Sequence, residues 1–333
     1  MKKICKIICL NVLILLCLGC VSCKKNKPVE TTFPEIVNGL TSYKLVGRLE
    51  SNFPSGTKEC EITTYYKSPH NYRVEIQNPN NNETQIMVKN SSGVYVLIPS
   101  INKTFKVNSN WPGNTSYPYL LQSLRNDIVS DENLRTTTEG KDTIIELKAK
   151  LFNQDEQTTQ KIIFGENKLP KEVLFYDSNQ NLLTRFVVKS LDQNITIDDD
   201  QFNATESLET LASYFDKNPI EFERLVSYPT YYPEGTSLKE ETVTGTKDNK
   251  LAIMKFTGTS NFTIVEQFVN KAAVATTEHI NGDLYIMGGV FTFVGDNHIE
   301  FYENGVQYTI ASNQVTQLEM IKMADSLRSG DNK

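Results

Sequence analysis

The chain has 333 residues, with 34 Lys and Arg against 40 Asp and Glu and a formal net charge of −6. An acidic balance argues against nucleic acid or an anionic lipid surface as the main partner, because both select basic patches. Fifteen Tyr and sixteen Phe supply large apolar side chains, and the length suits two domains of about 150 residues each, so an ordered, strand-rich protein is expected.

Lys2, Lys3 and Lys6 precede an apolar run from Ile7 to Leu18 broken only by Asn11. A spanning helix needs about 20 apolar residues, so the run is too short to span and has the form of a secretory leader over 1–22. Its end, CLGCVSCKK, places Cys17, Cys20 and Cys23 at a regular spacing. No fourth cysteine follows nearby, so an iron–sulfur or zinc ligand set is not completed. The stretch resembles the lipobox of bacterial lipoproteins, a small residue before a cysteine that takes a diacylglycerol. Ser22-Cys23 and Gly19-Cys20 both fit. Cys23 is preferred, because Val21 and Ser22 suit the two small positions and a lysine-bearing tether over 23–32 follows at once; Cys20 is the alternative. This implies a protein held by acyl chains such as palmitate on the extracytoplasmic face of the cell membrane. Loss of the leader removes three basic residues, leaving 31 against 40 acidic ones, a net charge of −9. Cys60 then remains in the folded part and reads as a small buried thiol.

Thr32-Phe-Pro-Glu35 has the form of a capping box opening a short helix that stops near Gly39. Period-2 segments follow. In NYRVEIQ, Tyr72, Val74 and Ile76 point one way while Arg73, Glu75 and Gln77 point the other. Similar runs cover 43–50, 59–66, 84–88, 94–98, 104–107, 143–150, 161–164, 172–176 and 182–191, a long antiparallel meander. One helix interrupts it. In SYPYLLQSLRNDI, Ser116 is the expected cap, and Leu120, Leu121, Leu124 and Ile128 share a face. Such a helix would cover one face of a curved sheet, either filling a core or closing a cavity.

The order YKSPHNYRVEI, GVYVLIPSINKTFKV, NWPGNTSYPYLLQSLRNDI and LPKEVLFYDSNQNLLTRFVVKSLDQNITIDDDQF resembles the LolA-like superfamily over 33–203. More closely, it resembles the sporulation and germination lipoproteins of spore-forming Gram-positive bacteria that carry this domain. The resemblance implies an incomplete antiparallel β-barrel with covering helices and an apolar concavity, a mostly β (α+β) fold. In the lipoprotein-carrier members an arginine precedes the proline of the segment matching Lys67-Ser68-Pro69. Ser68 stands there in this chain, which speaks against carrier activity of that type.

Asn203 to Glu206 offers a second cap, and Leu208, Leu211, Ala212 and Phe215 form a stripe, read as a linker helix over 204–218. A smaller meander over 219–329 follows SYPTYYPEG, with strands expected at 252–256, 262–268, 284–294, 298–303 and 306–311. Asn304-Gly305 is a type I′ hairpin candidate. Thr316 caps a final helix with Leu318, Ile321, Ala324 and Leu327 inward. This part resembles an extracytoplasmic domain of unassigned function found behind LolA-like domains.

Chemistry is sparse. His70, His279 and His298 are far apart and lie in no H-E-x-x-H; G-x-S-x-G and phosphate-binding glycine loops are missing. Asp198-Asp199-Asp200 lacks the glycine and terminal glutamate of a calcium loop and reads as a solvated strand end. Glu266 and Glu300 read as isolated surface carboxylates on strands. No catalytic residue, metal or cofactor is expected. Trp111, Tyr117 and Tyr119, with Leu121 and Leu124, either line the mouth of an apolar concavity or an interface, or simply pack the helix on the sheet. The resemblance implies an envelope role exercised through a partner, a cell-wall hydrolase such as an N-acetylmuramoyl-L-alanine amidase being one class. A lipid ligand in the half-barrel is the alternative.

Overall fold

The computed structural model describes residues 27–78, 83–113, 115–151, 158–217 and 226–328. The expected leader, both candidate anchor cysteines and the Phe215 side chain lie outside them. Among the described residues no helix is long and apolar enough to cross a membrane.

The first helix, α1, spans Val29–Gly39, starting ahead of the expected Thr32 cap. Val29, Phe33 and Val37 recur every fourth residue and are buried, so the stripe carries the helix back one turn. Thr32 lies inside it, and its Oγ1 donates to Pro28 O at 2.9 Å. Glu35 pairs with Lys27 at 2.9 Å rather than closing a capping box.

Six strands then run outward, β1 (Ser42–Phe53), β2 (Gly56–Lys67), β3 (Asn71–Gln77), β4 (Thr84–Asn90), β5 (Gly93–Ile98) and β6 (Lys103–Asn108). A crossing segment carrying helix α2 (Leu121–Ser130) leads to β7 (Arg135–Glu139), β8 (Asp142–Ala149), β9 (Thr158–Phe164), β10 (Pro170–Tyr176) and β11 (Leu182–Gln193). These return antiparallel until β11 pairs with β1. Alternation sets the inner face, as in β9, where Thr158, Gln160, Ile162 and Phe164 are buried and the residues between them less so. At β1 the register shifts between Val46 and Gly47. A Cβ on Gly47 would sit 2.2 Å from Phe186 Cζ, so only glycine lets that ring close over the bulge.

Helix α2 begins at Leu121, not at a Ser116 cap. Pro118 disfavours helix at the preceding residue, Leu120 is extended, and Tyr117 and Tyr119 turn into the core instead. Helix α3 (Ala204–Lys217) is capped as expected, Asn203 Oδ1 accepting from Thr205 N at 3.1 Å. It does more than link. Leu208 packs with Ile86, Val88 and Leu97 on the outer face of β4 and β5. Arg73, expected outward, is buried there, its guanidinium donating to Ser207 Oγ at 2.6 Å and Gln201 O at 3.1 Å.

The rest of the chain supplies β12 (Thr236–Thr244), β13 (Leu251–Gly258), β14 (Phe262–Phe268), β15 (Thr276–Asn281), β16 (Asp283–Met287), β17 (Val290–Val294), β18 (His298–Glu303), β19 (Val306–Ala311) and helix α4 (Gln317–Arg328). Seven of these strands form a second antiparallel sheet, ordered β12-β13-β14-β19-β18-β17-β16. The eighth, β15, joins the first sheet as its twelfth strand, parallel to β6, pairing Thr276 with Lys103 through Asn281 with Asn108. The run 284–294, expected as one strand, is a hairpin turning at Gly288 and Gly289, both with positive φ. Its unbroken apolarity has a different cause. Phe291 and Phe293 enter the core of the first sheet, while Val290 and Val294 face the α4 side, and a strand buried on both faces does not alternate. Asn304 and Gly305 have φ of 52° and 70°, as a type I′ turn requires. Thr316 Oγ1 accepts from Glu319 N at 3.2 Å; Met320 and Met323 join Ile321, Ala324 and Leu327 in the core, and Leu318 is only half-buried.

Candidate functional site

The segment from β6 to α2 crosses the inner face of the first sheet. Thr64 Oγ1 of β2 donates to Tyr119 O at 3.0 Å, and Tyr43 of β1 donates to Gln122 Oε1 at 2.8 Å while accepting from Leu121 N at 3.3 Å. The rings of Tyr43, Tyr66, Tyr72, Trp111, Tyr117 and Tyr119 follow one another at centroid distances of 5.0 to 5.7 Å. Trp111, Tyr117, Tyr119, Leu121 and Leu124 are each at most 4% exposed, so they line no open mouth. Burial pushes the hydroxyls of Tyr43, Tyr72, Tyr117 and Tyr119 upward, helped by neighbouring ionisable groups. They stay neutral near pH 7 and are poorly suited to proton transfer there.

The second sheet fills the concavity. Leu284, Ile286, Phe291, Phe293 and Tyr302 belong to the same core as the aromatic series, and Phe105 of β6 packs on Phe293 at 5.5 Å and Tyr302 at 4.6 Å. Buried Gln85 clamps the two sheets, donating to Tyr302 O and accepting from Phe291 N, both at 2.8 Å. Between Leu49, Tyr117, Phe175 and Tyr285 a seam of about 20 Å³ remains. That is room for about one water, whereas small-ligand pockets run to about 300–1,000 Å³.

On its other side the crossing segment borders a polar cleft of about 750 Å³. Asn108 and Ser109 end β6, Asn281 to Asp283 join β15 to β16, and Gly295 to His298 turn β17 into β18. One wall is tied together: Asn108 Nδ2 donates to Asn281 Oδ1 at 3.2 Å and Ser109 Oγ to Asp283 Oδ1 at 3.2 Å. Beyond Pro112 and Thr115 lies a second chamber of about 380 Å³, bordered by Ser116, Asn126, Asp127, Lys148 and Lys150. Asp127 Oδ1 accepts from Ser116 Oγ at 3.0 Å. Its Oδ2 is shielded from solvent and has no hydrogen-bond partner. Burial lifts this carboxyl to about 7, the Ser116 bond opposing only in part.

The other sequence candidates stay dispersed. His70 and His279 are exposed and His298 half-buried; among the described residues no three of His, Cys, Asp and Glu are grouped to hold a metal. Asp199 begins a short 3-10 turn and pairs with Lys67 at 2.6 Å. Glu266, expected on the surface, is fully buried because Ser227 N donates to its Oε2 at 3.0 Å from the covering segment. Glu300 is half-buried and accepts from Tyr302 OH at 2.6 Å. Cys60 is a buried thiol. Reading the sequence missed the polar cleft and Asp127; the only signal was the excess of Asn, Ser and Gly in the three turns that border it.

The fold and its crossing segment define a mostly β protein of two sheets sharing one core, with a polar cleft at the seam. The chain belongs to the YdcC-like sporulation protein family, whose model matches residues 2–202. It is 26% identical to Sporulation protein YdcC of Bacillus subtilis (strain 168) over 100% of both chains. Among solved structures it is similar to the Pseudomonas aeruginosa MucA/MucB complex (13% identity, 88% of this chain and 97% of that one, TM-score 0.32). It is also similar to a LolA superfamily protein from Nitrosomonas europaea (12% identity, 52% and 95%, TM-score 0.31). At such TM-scores the architecture rests on the strand order described above.

Proposed function

We propose that the chain is a non-catalytic lipoprotein, anchored through Cys23 or Cys20 on the extracytoplasmic face of the membrane, that supports sporulation or germination by holding another envelope protein. A cell-wall amidase is one class of partner. The supporting observation is the filled concavity: the face that would take an acyl chain is occupied by Phe291, Phe293 and Tyr302 of the same chain. The outer surface is left to act, including the edges of β7 and β12, which are unpaired among the described residues. Both strands are almost wholly exposed, and an extended segment of a partner can add to such an edge. The buried phenols and dispersed histidines support a role without catalysis.

One observation favours a lipid-carrying role, the apolar seam beside Tyr117 and Tyr285, which would have to widen by displacement of the second sheet. The test is to purify the tagged full-length protein from membranes of sporulating cells and identify what comes with it by mass spectrometry. A stoichiometric protein without lipid is the expected result, lost on Thr137→Pro in β7 or Thr242→Pro in β12 with the fold retained. A stoichiometric lipid and no protein would replace the docking reading with the carrier one.

A further inference from the structure

We propose that the 750 Å³ cleft at the seam of the two sheets is a binding site for a neutral, hydroxyl-rich saccharide chain. The inference does not depend on the docking role. One strand pair, β6 with β15, is parallel, the only such pair among the described residues. Because β6 and β15 run in the same direction, both deliver their C-terminal residues, Asn108 and Asn281, to one end of the sheet. Both strands then turn away, and the space they leave is the cleft. The β17–β18 turn closes it from the second sheet, bringing Asn297 and His298 to the opposite wall.

The lining decides the class of ligand. No Lys or Arg borders this cleft among the described residues, so phosphates and other anions find no permanent cation there and meet the carboxylates of Asp283 and Asp296. Asp283, Asp296 and His298 border the cleft, yet among the described residues no three such groups are placed to hold a metal ion, so a ligand set is lacking there. An extended peptide anchors through apolar side chains in pockets, and Pro112 and Val294 are the only sizeable apolar contributors here. What remains is a set of amides, hydroxyls and carboxylates with the imidazole of His298, each able to donate to or accept from paired hydroxyls. That pattern matches a sugar chain, which carries such groups along both edges.

The donors are also held in place. The Asn108–Asn281 and Ser109–Asp283 bonds fix one wall, and Ser109 Oγ accepts in addition from Trp111 N at 3.2 Å. On the other wall, Gln317 of α4 donates to Gly295 O at 2.8 Å. Fixed donors lower the ordering cost of binding. With no Phe, Tyr or Trp among the described residues of the lining to stack on a sugar face, affinity rests on hydrogen bonds exchanged against water, and a Kd of about 1 mM is expected.

The test is calorimetric titration of the purified full-length chain with the β-1,4 trimer of N-acetylglucosamine, with cellotriose, with trialanine and with inorganic phosphate. At least one saccharide is expected to bind, with affinity reduced about tenfold or more in Asn108→Ala/Asn281→Ala and in Asn297→Ala. These three residues are exposed, so the variants should fold, which far-UV circular dichroism and an unchanged melting temperature check. No saccharide binding, equal binding by the variants, or preference for trialanine or phosphate would each overturn the assignment. None of these results bears on whether a protein partner co-purifies from sporulating cells.

Discussion

One short segment, residues 109–119, faces two different environments. Trp111, Tyr117 and Tyr119 point into a core from which water is excluded, while Ser109, Pro112, Gly113 and Thr115 border a wet cleft. The inner side is closed by the molecule's own second sheet; the outer side is left open. In this chain the concave face of the first sheet joins two sheets and holds no open hollow of ligand size among the described residues. The free surface then shifts to the polar rim.

That contrast predicts steep penalties on the inner side and shallow ones on the rim. The largest effect belongs to Leu124→Asp, which buries a carboxylate among aliphatic groups; a loss of about 4 kcal/mol or more is expected, read as a missing near-UV circular dichroism signal. Phe293→Ala should cost about 3–5 kcal/mol. Because Phe293 lies in the core shared by both sheets, a single lowered transition in thermal denaturation is expected; two separate transitions would show the sheets to be independent. Gln85→Ala leaves Tyr302 O and Phe291 N unpaired at the junction and should cost about 1–3 kcal/mol, measured by urea unfolding.

Asp127 sits at the boundary and gives a pH signature. Its carboxyl is near 7 in the folded chain against an ordinary value of 3.8. Between those values the native state holds a proton that the unfolded state has released, so its contribution to stability falls as pH rises from about 4 to about 7 and is flat above that. Asp127→Asn should remove this slope and raise the melting temperature at about pH 8 relative to the parent, with less gain at about pH 4. On the open rim, Asn110→Ala is expected to change stability by less than about 0.5 kcal/mol in the same unfolding assay.

Much of the fold was legible because alternation is a local signal. NYRVEIQ and FTIVEQF alternate within seven residues, and β3 and β14 span them end to end, although Arg73 and Glu266, both expected outward, are buried. The strands that escaped were β7, β12 and β15, reading RTTTE, TSLKEETVT and TTEHIN. They lie at sheet edges and bury almost nothing, so they carry no apolar period. Ser116 misled because a serine before an apolar helix has the form of a cap, although its hydroxyl is committed to Asp127. The cleft was illegible for a different reason. Its walls come from stretches near 110, 282 and 296 that the parallel pairing of β6 and β15 and the docking of the second sheet bring together, and no local period encodes that.

The parallel pairing also sets a timetable. As the chain is made from its amino end, β1 to β11 can pair among themselves, but the outer edge of β6 waits for residues 276–281. Until they arrive, the nascent molecule carries a ready template for another strand, the kind of edge through which unfinished chains stick to one another. Long-range pairings of this sort also form slowly. Production of the protein should therefore be most sensitive to crowding and temperature before its last fifth has been made, and fragments ending before residue 276 should aggregate even though eleven strands of their first sheet are present.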